Sequence, residues 1–435
     1  MRASDVVCLS YAGDLPDGGC HVGGFADLGL DEDVSLDHLG LRVISVVATL
    51  SQRSRPGAHG LLRGKGAAIT IEELGEFGLI DAITRAMARA SGITPASVAI
   101  GPGDDAAVLH ANGMVVATTD MMIEGRHFRA DWSSAADIGH KAAARNLADV
   151  AAMGATPAAL LVAFAGPGKL EVSWVTDLAA GIASEGAAAG ASVAGGDTSS
   201  SDKVMIAITA LGELAGRTPV RRSGARPGDV IAVAGRLGSA AAGYALLAAG
   251  MSAAAPGAGL TGQAATMAPG PAVPEPSVRD AAGAGPAVPE AAVRDAALSV
   301  LADAHRRPQP PYQAGPEAAL LGATSMIDVS DGLIADLGHV SEASGVRIEL
   351  RSSHLRSAPV ADEESLRRAA EVLGSTDWLL WVLTGGDDHA LVATFPAQVA
   401  LPQSWTVVGT VAPGHGVAVD GRTWTDQGGW EHFRP

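Results

Sequence analysis

Only two cysteines occur in 435 residues, Cys8 and Cys20, both near the N-terminal end. A disulfide framework for the main body is excluded. No Cys or His cluster has zinc-ligand spacing. Aromatic residues make up 4% of the chain. No apolar run is long enough to span a membrane; the nearest, Leu39 to Leu50, contains Arg42 and is too short. Basic residues are in deficit: 30 Lys and Arg face 47 Asp and Glu, a formal charge of -17. That argues against nucleic acid or an anionic membrane as the main partner, since both reward a basic surface. Residues 1–20 carry Asp5, Asp14 and Asp17 and do not read as a signal peptide, so the expected location is the cytoplasm. A P-loop is also missing. Gly60-Leu-Leu-Arg-Gly64-Lys65 is too short for one and lacks the hydroxyl.

The length suggests two or three domains and a sizeable core. With 47% hydrophobic residues, 18% charged and 55 Gly, the chain reads as a soluble globular α/β protein. Residues 1–68 read as a poorly ordered extension, with a small docking element around Leu39–Leu50. Ordered patterning begins near Thr70, giving an N-terminal domain over 69–215 and a C-terminal domain over 216–435. Residues 252–296 form a Pro/Ala-rich insert with two copies of a Gly-Pro-Ala-Val-Pro-Glu repeat. Two copies are too few for a solenoid, so a flexible surface insert is expected. Its Gly257-Ala-Gly259-Leu-Thr-Gly262 matches a dinucleotide fingerprint formally, but no strand precedes it.

Elsewhere strands and helices alternate. Apolar spacing predicts a helix from Ile71 and another over about Ala135–Met153, opened by a Ser134/Asp137 capping box. A further helix is expected over Ser173–Ala189. Strands are expected at Met114–Thr118, Val204–Leu211, Val230–Ala234, Ser325–Val329, Leu379–Leu383 and Ala390–Phe395. Ser330 is expected to cap a helix carrying Leu333, Ile334, Leu337 and Val340.

Six short aspartate motifs sit beside Gly, Ser or Thr. They are Gly-Pro-Gly-Asp104-Asp105, Thr118-Thr119-Asp120, Asn146-Leu-Ala-Asp149, Gly195-Gly196-Asp197-Thr198, Asp328-Val-Ser330-Asp331-Gly332 and Gly385-Gly386-Asp387-Asp388. Any one alone is better read as a turn or cap. Six at expected strand ends favour a shared ligand site. Converging carboxylates repel by about 4 kcal/mol per pair at 4 Å and an effective dielectric near 20, so cations must neutralise them or some must be protonated. Carboxylates with small, flexible neighbours suit a magnesium-bound polyphosphate. Ser330-Asp331-Gly332, opening a helix, would offer N–H groups to a phosphate. Gly195-Gly196 would be a tight turn or a phosphate loop. His127 and Arg222 read equally as structural or ligand-facing groups. Lys141 and Arg145, one turn apart on the helix of Asp149, could pair with it; a structural role behind the ligands is expected for them.

The order of these motifs closely resembles the thiamine-monophosphate kinase family over about residues 70–435, the insert apart. The resemblance rests also on Gly-Arg-His127-Phe, Arg222-Ser-Gly-Ala-Arg-Pro-Gly-Asp and the tail Trp430-Glu-His-Phe433. It implies a two-domain α/β (α+β) fold shared with aminoimidazole ribonucleotide synthetase. The N-terminal sheet domain would form a homodimer, and the C-terminal domain would be an α/β sandwich. The implied reaction is ATP-dependent phosphorylation of thiamine monophosphate, with several Mg²⁺ ions. Asp120, Asp149 and Asp328 would be catalytic. Metal ligands would be Asp105, Thr118, Thr119, Asp120, Asp149, Asp197, Asp328 and Asp331. ATP would meet Gly196, Asp197, Arg222 and Ser330; substrate would meet His127, Asp387 and Trp430. The family usually reads Gly-Gly-Glu-Asp-Tyr where this chain has Gly-Gly-Asp387-Asp388-His389. Competing readings are another ATP-using member of the superfamily and a non-catalytic nucleotide or thiamine-phosphate binding protein. Two such members rely on a reactive Cys or selenocysteine that the body of this chain lacks.

Overall fold

A computed structural model describes residues 42–47, 68–91, 97–102, 106–251, 296–357, 359–374 and 377–425. The N-terminal half comprises β1 (Arg42–Val47), α1 (Ile71–Leu74), α2 (Glu76–Ser91), β2 (Val98–Ile100), β3 (Ala106–Ala111), β4 (Val115–Ile123), α3 (Ala135–Ala152), β5 (Thr156–Gly166), α4 (Val172–Ala189), β6 (Ser192–Ser200) and β7 (Met205–Glu213). Four strands form a sheet in the order β4-β7-β5-β6, with only β5 and β6 parallel. Helices α3 and α4 cover one face. Ala143, Leu147 and Val150 of α3 and Leu178 and Ile182 of α4 pack on Leu160, Ile206 and Ile208. The other face takes Ala107 and Leu109 of β3 against Ala159, Ala194 and Leu211. Strand β1, within the span read as an extension, pairs antiparallel with β3.

Helix α3 starts where the sequence signals it. Ser134 accepts the N–H of Asp137, and the Asp137 carboxylate accepts the N–H of Ser134. This reciprocal cap satisfies two end donors that would otherwise be unpaired.

The C-terminal half comprises β8 (Val230–Ala234), α5 (Ser239–Ala248), α6 (Ala296–Arg306), α7 (Ala314–Leu321), β9 (Ser325–Asp328), α8 (Leu333–Ser344), β10 (Val346–Leu350), α9 (Ser352–Leu355), α10 (Glu363–Val372), α11 (Leu379–Thr384), β11 (Leu391–Phe395), β12 (Thr406–Pro413), β13 (Gly416–Val419) and β14 (Arg422–Thr423). Its seven strands run in the order β14-β13-β10-β12-β8-β11-β9, antiparallel except for β10 with β13. Strand alternation splits β8 between two cores. Ile231 and Val233 face Leu246, Leu301, Leu337 and Val382; Ala232 and Ala234 face Ala314, Ala318 and the α3 residues Ala151 and Ala152. This second core joins the two halves. Among the described residues no helix is long and apolar enough to cross a membrane.

Two expectations are corrected. Leu379–Leu383 is helix α11, not a strand. Leu379, Val382 and Leu383 are buried while Leu380 is exposed, a helical pattern that a short apolar run hides. Ser330 does not cap α8. The cap position is Gly332, which has no side chain to cap with. Residues 252–295 of the expected insert lie outside the described residues.

Candidate functional site

Strand β4 and helix α3 supply the first half of the site. Alternation along β4 turns Thr118 and Asp120 toward α3. The Thr118 hydroxyl donates to Asp149 Oδ2 at 2.9 Å. The Asp120 N–H donates to Asn146 Oδ1 at 2.9 Å, and Asn146 Nδ2 donates to the Ala142 carbonyl at 2.9 Å. Asn146 thus clamps a strand to a helix. Arg145 reaches Asp120 Oδ2 at 3.4 Å. Thr119, expected among the metal ligands, points the other way. Its hydroxyl donates to the Ile208 carbonyl at 3.1 Å and accepts from Thr209 at 3.2 Å. The period of two in a strand keeps that hydroxyl off the face of Asp120.

The second half comes from β9 and the loop before β11. Asp328 ends β9 and is buried; His389 Nδ1 donates to its Oδ2 at 3.1 Å. The loop carrying Gly385–His389 lies against the Ser330 segment. The Asp387 N–H donates to the Ser330 carbonyl at 2.9 Å, and the His389 N–H to the Val329 carbonyl at 3.0 Å. A Cβ on Gly386 would sit 2.2 Å from the Ser330 carbonyl oxygen, so only glycine permits this contact. Asp388 accepts N–H groups from Gly238 at 2.6 Å and Ala240 at 2.8 Å, holding the start of α5.

The halves meet at Asp387. Lys141 Nζ donates to its Oδ2 at 2.9 Å, and Arg145 to its Oδ1 at 3.4 Å. Lys141 and Arg145 therefore pair across the halves, with Asp387 and Asp120 rather than with Asp149. The reason is direction: Thr118 already occupies Asp149, and both long cations extend toward the C-terminal half.

Asp336, in the first turn of α8, received no role from the sequence. Its Oδ2 accepts the N–H groups of Ser330, Asp331 and Gly332, each at 3.1 Å. These are the donors expected to meet a phosphate; a carboxylate already holds them. What remains at Ser330 for a ligand is its hydroxyl.

Electrostatics bind the acids into one group. Burial pushes Asp149 up to about 7, with Asp328 and Asp120 adding to the rise. Burial pushes Asp336 up to about 8, with help from Asp328 and Asp331. Burial also raises Asp388, to about 7, against the pull of its two backbone N–H partners. Asp387 goes the other way. Burial opposes its charge, but Lys141 and Arg145 hold it well below the usual carboxylate range.

Gly196 and Asp197 are not in a loop. Both lie within β6, paired in parallel with Val162 and Ala163. Strands β4 and β6 are opposite edges of the sheet, so Asp197 stands about 14 Å from Asp120 by strand spacing. A Cβ on Gly196 would lie 2.1 Å from the Val162 carbonyl oxygen. Beside these residues is an apolar cleft of about 60 Å³, lined by Ile80, Met87, Phe164 and Ile182 among others. Such a lining suits a flat ring better than a phosphate.

His127 accepts the Ile123 N–H at Nδ1, 3.0 Å away, which places its proton on Nε2. Arg222 is exposed, and its carbonyl accepts from the Ser344 hydroxyl at 3.1 Å. Asp105 and Trp430 lie outside the described residues.

Among the described residues no three His, Cys, Asp or Glu side chains converge on a point that could hold a metal ion. The donor set still fits Mg²⁺. Mg²⁺ is usually held by one or two carboxylates plus substrate phosphates, not by an all-protein cage. Asp120, Asp149 and Asp328 are hard oxygen donors whose mutual repulsion a divalent cation would relieve.

Residues 103–214 match the family model for the AIR synthase related protein, N-terminal domain. The thiamine-monophosphate kinase of Mycobacterium tuberculosis (strain CDC 1551 / Oshkosh) is 41% identical over 366 residues, covering 84% of this chain and 93% of that protein. The crystal structure of the thiamine-monophosphate kinase from Stenotrophomonas maltophilia K279a superposes with a TM-score of 0.61 at 30% identity, covering 79% of this chain and 97% of the other. A structure of AaThiL complexed with AMPPCP and TMP gives 0.59 at 28% identity, covering 85% of this chain and 100% of the other.

Proposed function

This chain belongs to the thiamine-monophosphate kinase family, and from that membership we propose its reaction. The γ-phosphoryl group of ATP passes to a phosphate oxygen of thiamine monophosphate, giving ADP and thiamine diphosphate. The fold is the AIR synthase-like arrangement of its relatives. The observation that carries the reading is the gathering of Asp120, Asp149 and Asp328 at the contact of the two halves. They come from three separate motifs, yet α3, which carries Asp149, packs against β9, which ends at Asp328, and Lys141 and Arg145 bridge across to Asp387.

The acceptor is an ionised phosphate at neutral pH, so the reaction needs no strong general base. The site offers none beside a nucleophile. It offers positioning and charge balance instead. Bound Mg²⁺ would neutralise the transferred group and orient it between two polyanions. Asp120, Asp149 and Asp328 would hold it, with Asp331 beside them and Asp197 at the far edge of the sheet; Asp105 would be a further ligand. The cleft beside Gly196 takes the nucleotide base. Arg222 and the Ser330 hydroxyl meet its phosphates, and His127, Asp387 and Trp430 meet the substrate. The enzyme acts in the cytoplasm as a homodimer built through the N-terminal half.

The test is direct. Purified protein with Mg²⁺, ATP and thiamine monophosphate should form ADP and thiamine diphosphate together; formation of neither refutes the assignment. Asp120→Ala should lower kcat by about 100-fold, the loss of about 3 kcal/mol of charge stabilisation. Near-normal turnover in that folded variant removes Asp120 from the metal site.

A further inference from the structure

Two buried side-chain polar atoms among the described residues have no hydrogen-bond partner, His389 Nε2 and Trp424 Nε1. The first belongs to a ring 2% exposed, set against one of the candidate metal ligands. The His389 backbone is pinned beside that ligand. Its N–H donates to the Val329 carbonyl at 3.0 Å, and the Val329 N–H donates to the Ala390 carbonyl at 2.8 Å. Its φ of 53° lies in the left-handed region, a strain that the surrounding contacts must hold in place. The result is a fixed ring whose Nδ1 meets Asp328 Oδ2 at 3.1 Å.

A carboxylate only accepts, so Nδ1 carries the proton. His389 thus occupies one oxygen of Asp328 with its Nδ1–H and leaves the other for a cation.

We propose that His389 is a positioning residue for divalent metal, orienting Asp328 through the Nδ1–H bond. The proposal rests on the kinase reading for the purpose of the metal.

The probe is Mn²⁺ alone, titrated into the full metal-free chain and followed by electron paramagnetic resonance. Three variants separate the causes. His389→Phe keeps a ring and removes the donor. His389→Gly suits the positive φ and removes the donor. His389→Asn tolerates the same φ and returns an N–H near the Nδ1 position. The two donor-less variants should bind Mn²⁺ about 10- to 100-fold more weakly, the usual effect of losing a group that orients a metal ligand. His389→Asn should recover most of the affinity. In turnover, the half-saturating Mg²⁺ concentration should rise in step while kcat at saturating Mg²⁺ stays near wild type. Donor-less variants that bind Mn²⁺ like wild type overturn the proposal. So does His389→Asn binding as weakly as His389→Gly, or a wild-type chain that binds no Mn²⁺. A wild-type chain that binds Mn²⁺ yet makes no thiamine diphosphate instead refutes the kinase reading alone.

Discussion

Replacing Asp387 by Ala should loosen the two halves before it affects substrate. Lys141 is 4% exposed in its side chain and Asp387 is 31% exposed. Removing the acid strands a buried ammonium beside Arg145, with no carboxylate of its own. Breaking a buried pair from one side costs about 3–5 kcal/mol, and the partial exposure of Asp387 places this case near 3. Lys141→Met is milder. Asp387 then keeps Arg145 and some solvent, so the loss is about 1 kcal/mol, that of one charged hydrogen bond. The expected melting shifts are about 4–5 °C for Asp387→Ala and about 1–2 °C for Lys141→Met. The double variant should cost less than the sum, by about 1 kcal/mol or more, because neither charge is left alone. Thermal unfolding of the three variants measures this. Equal single effects, or simple additivity, would refute the reasoning. An unchanged melting point with a raised KM for thiamine monophosphate would show that Asp387 serves the substrate and not the lobe contact. The sign with pH follows. Asp387 is depressed, so its stabilisation is present above the ordinary carboxylate range and fades as pH falls below about 4.

Asp149, Asp336 and Asp388 predict the opposite trend. Their pKa values are raised to about 7, 8 and 7, so the ionised forms are disfavoured by folding. Their stabilisation is full below about 4 and is lost as pH rises through 7 to 8. Metal-free protein should therefore have a lower urea midpoint at pH 8 than at pH 6; an equal or higher midpoint contradicts the clustering of these acids. Gly196→Ala should displace β6 from β5, since the added carbon would meet the Val162 carbonyl oxygen at 2.1 Å. Overpacking of this kind costs about 1–3 kcal/mol. Wild-type stability and wild-type affinity for a non-hydrolysable ATP analogue would mean the strand shifts freely.

What the sequence displayed was local chemistry. The Ser134 cap and the three- and four-residue spacing in α3 placed that helix, because both signals lie within one turn of the backbone. The run Leu379–Thr384 offered no such signal. It is apolar throughout, and only its packing shows which residues face inward. Gly195-Gly196 looked like a turn because glycine is commonest there, yet β6 uses it to approach β5. Lys141 and Asp387 are 246 positions apart, and no periodicity connects them. Asp336 shows the middle case. Its place in the first turn of a helix was visible, but its three backbone bonds exist only once the Ser330 loop is folded around it.

The partners of the acids explain why so many carboxylates can gather in a resting protein. Asp149 takes a hydroxyl from Thr118, Asp328 a ring N–H from His389, and Asp388 two backbone N–H groups. These donors satisfy the carboxylate oxygens and soften their repulsion. Two full cations serve Asp387, and one of them also serves Asp120. Arg145 spans both at 3.4 Å, longer than the 2.9 Å contact of Lys141. Charge-assisted bonds weaken with such lengthening. A divalent cation bound at Asp120, as proposed, would compete with Arg145, the looser contact, and would leave Lys141 on Asp387. Metal binding and the lobe contact would then be separable by mutation of Arg145 and Lys141.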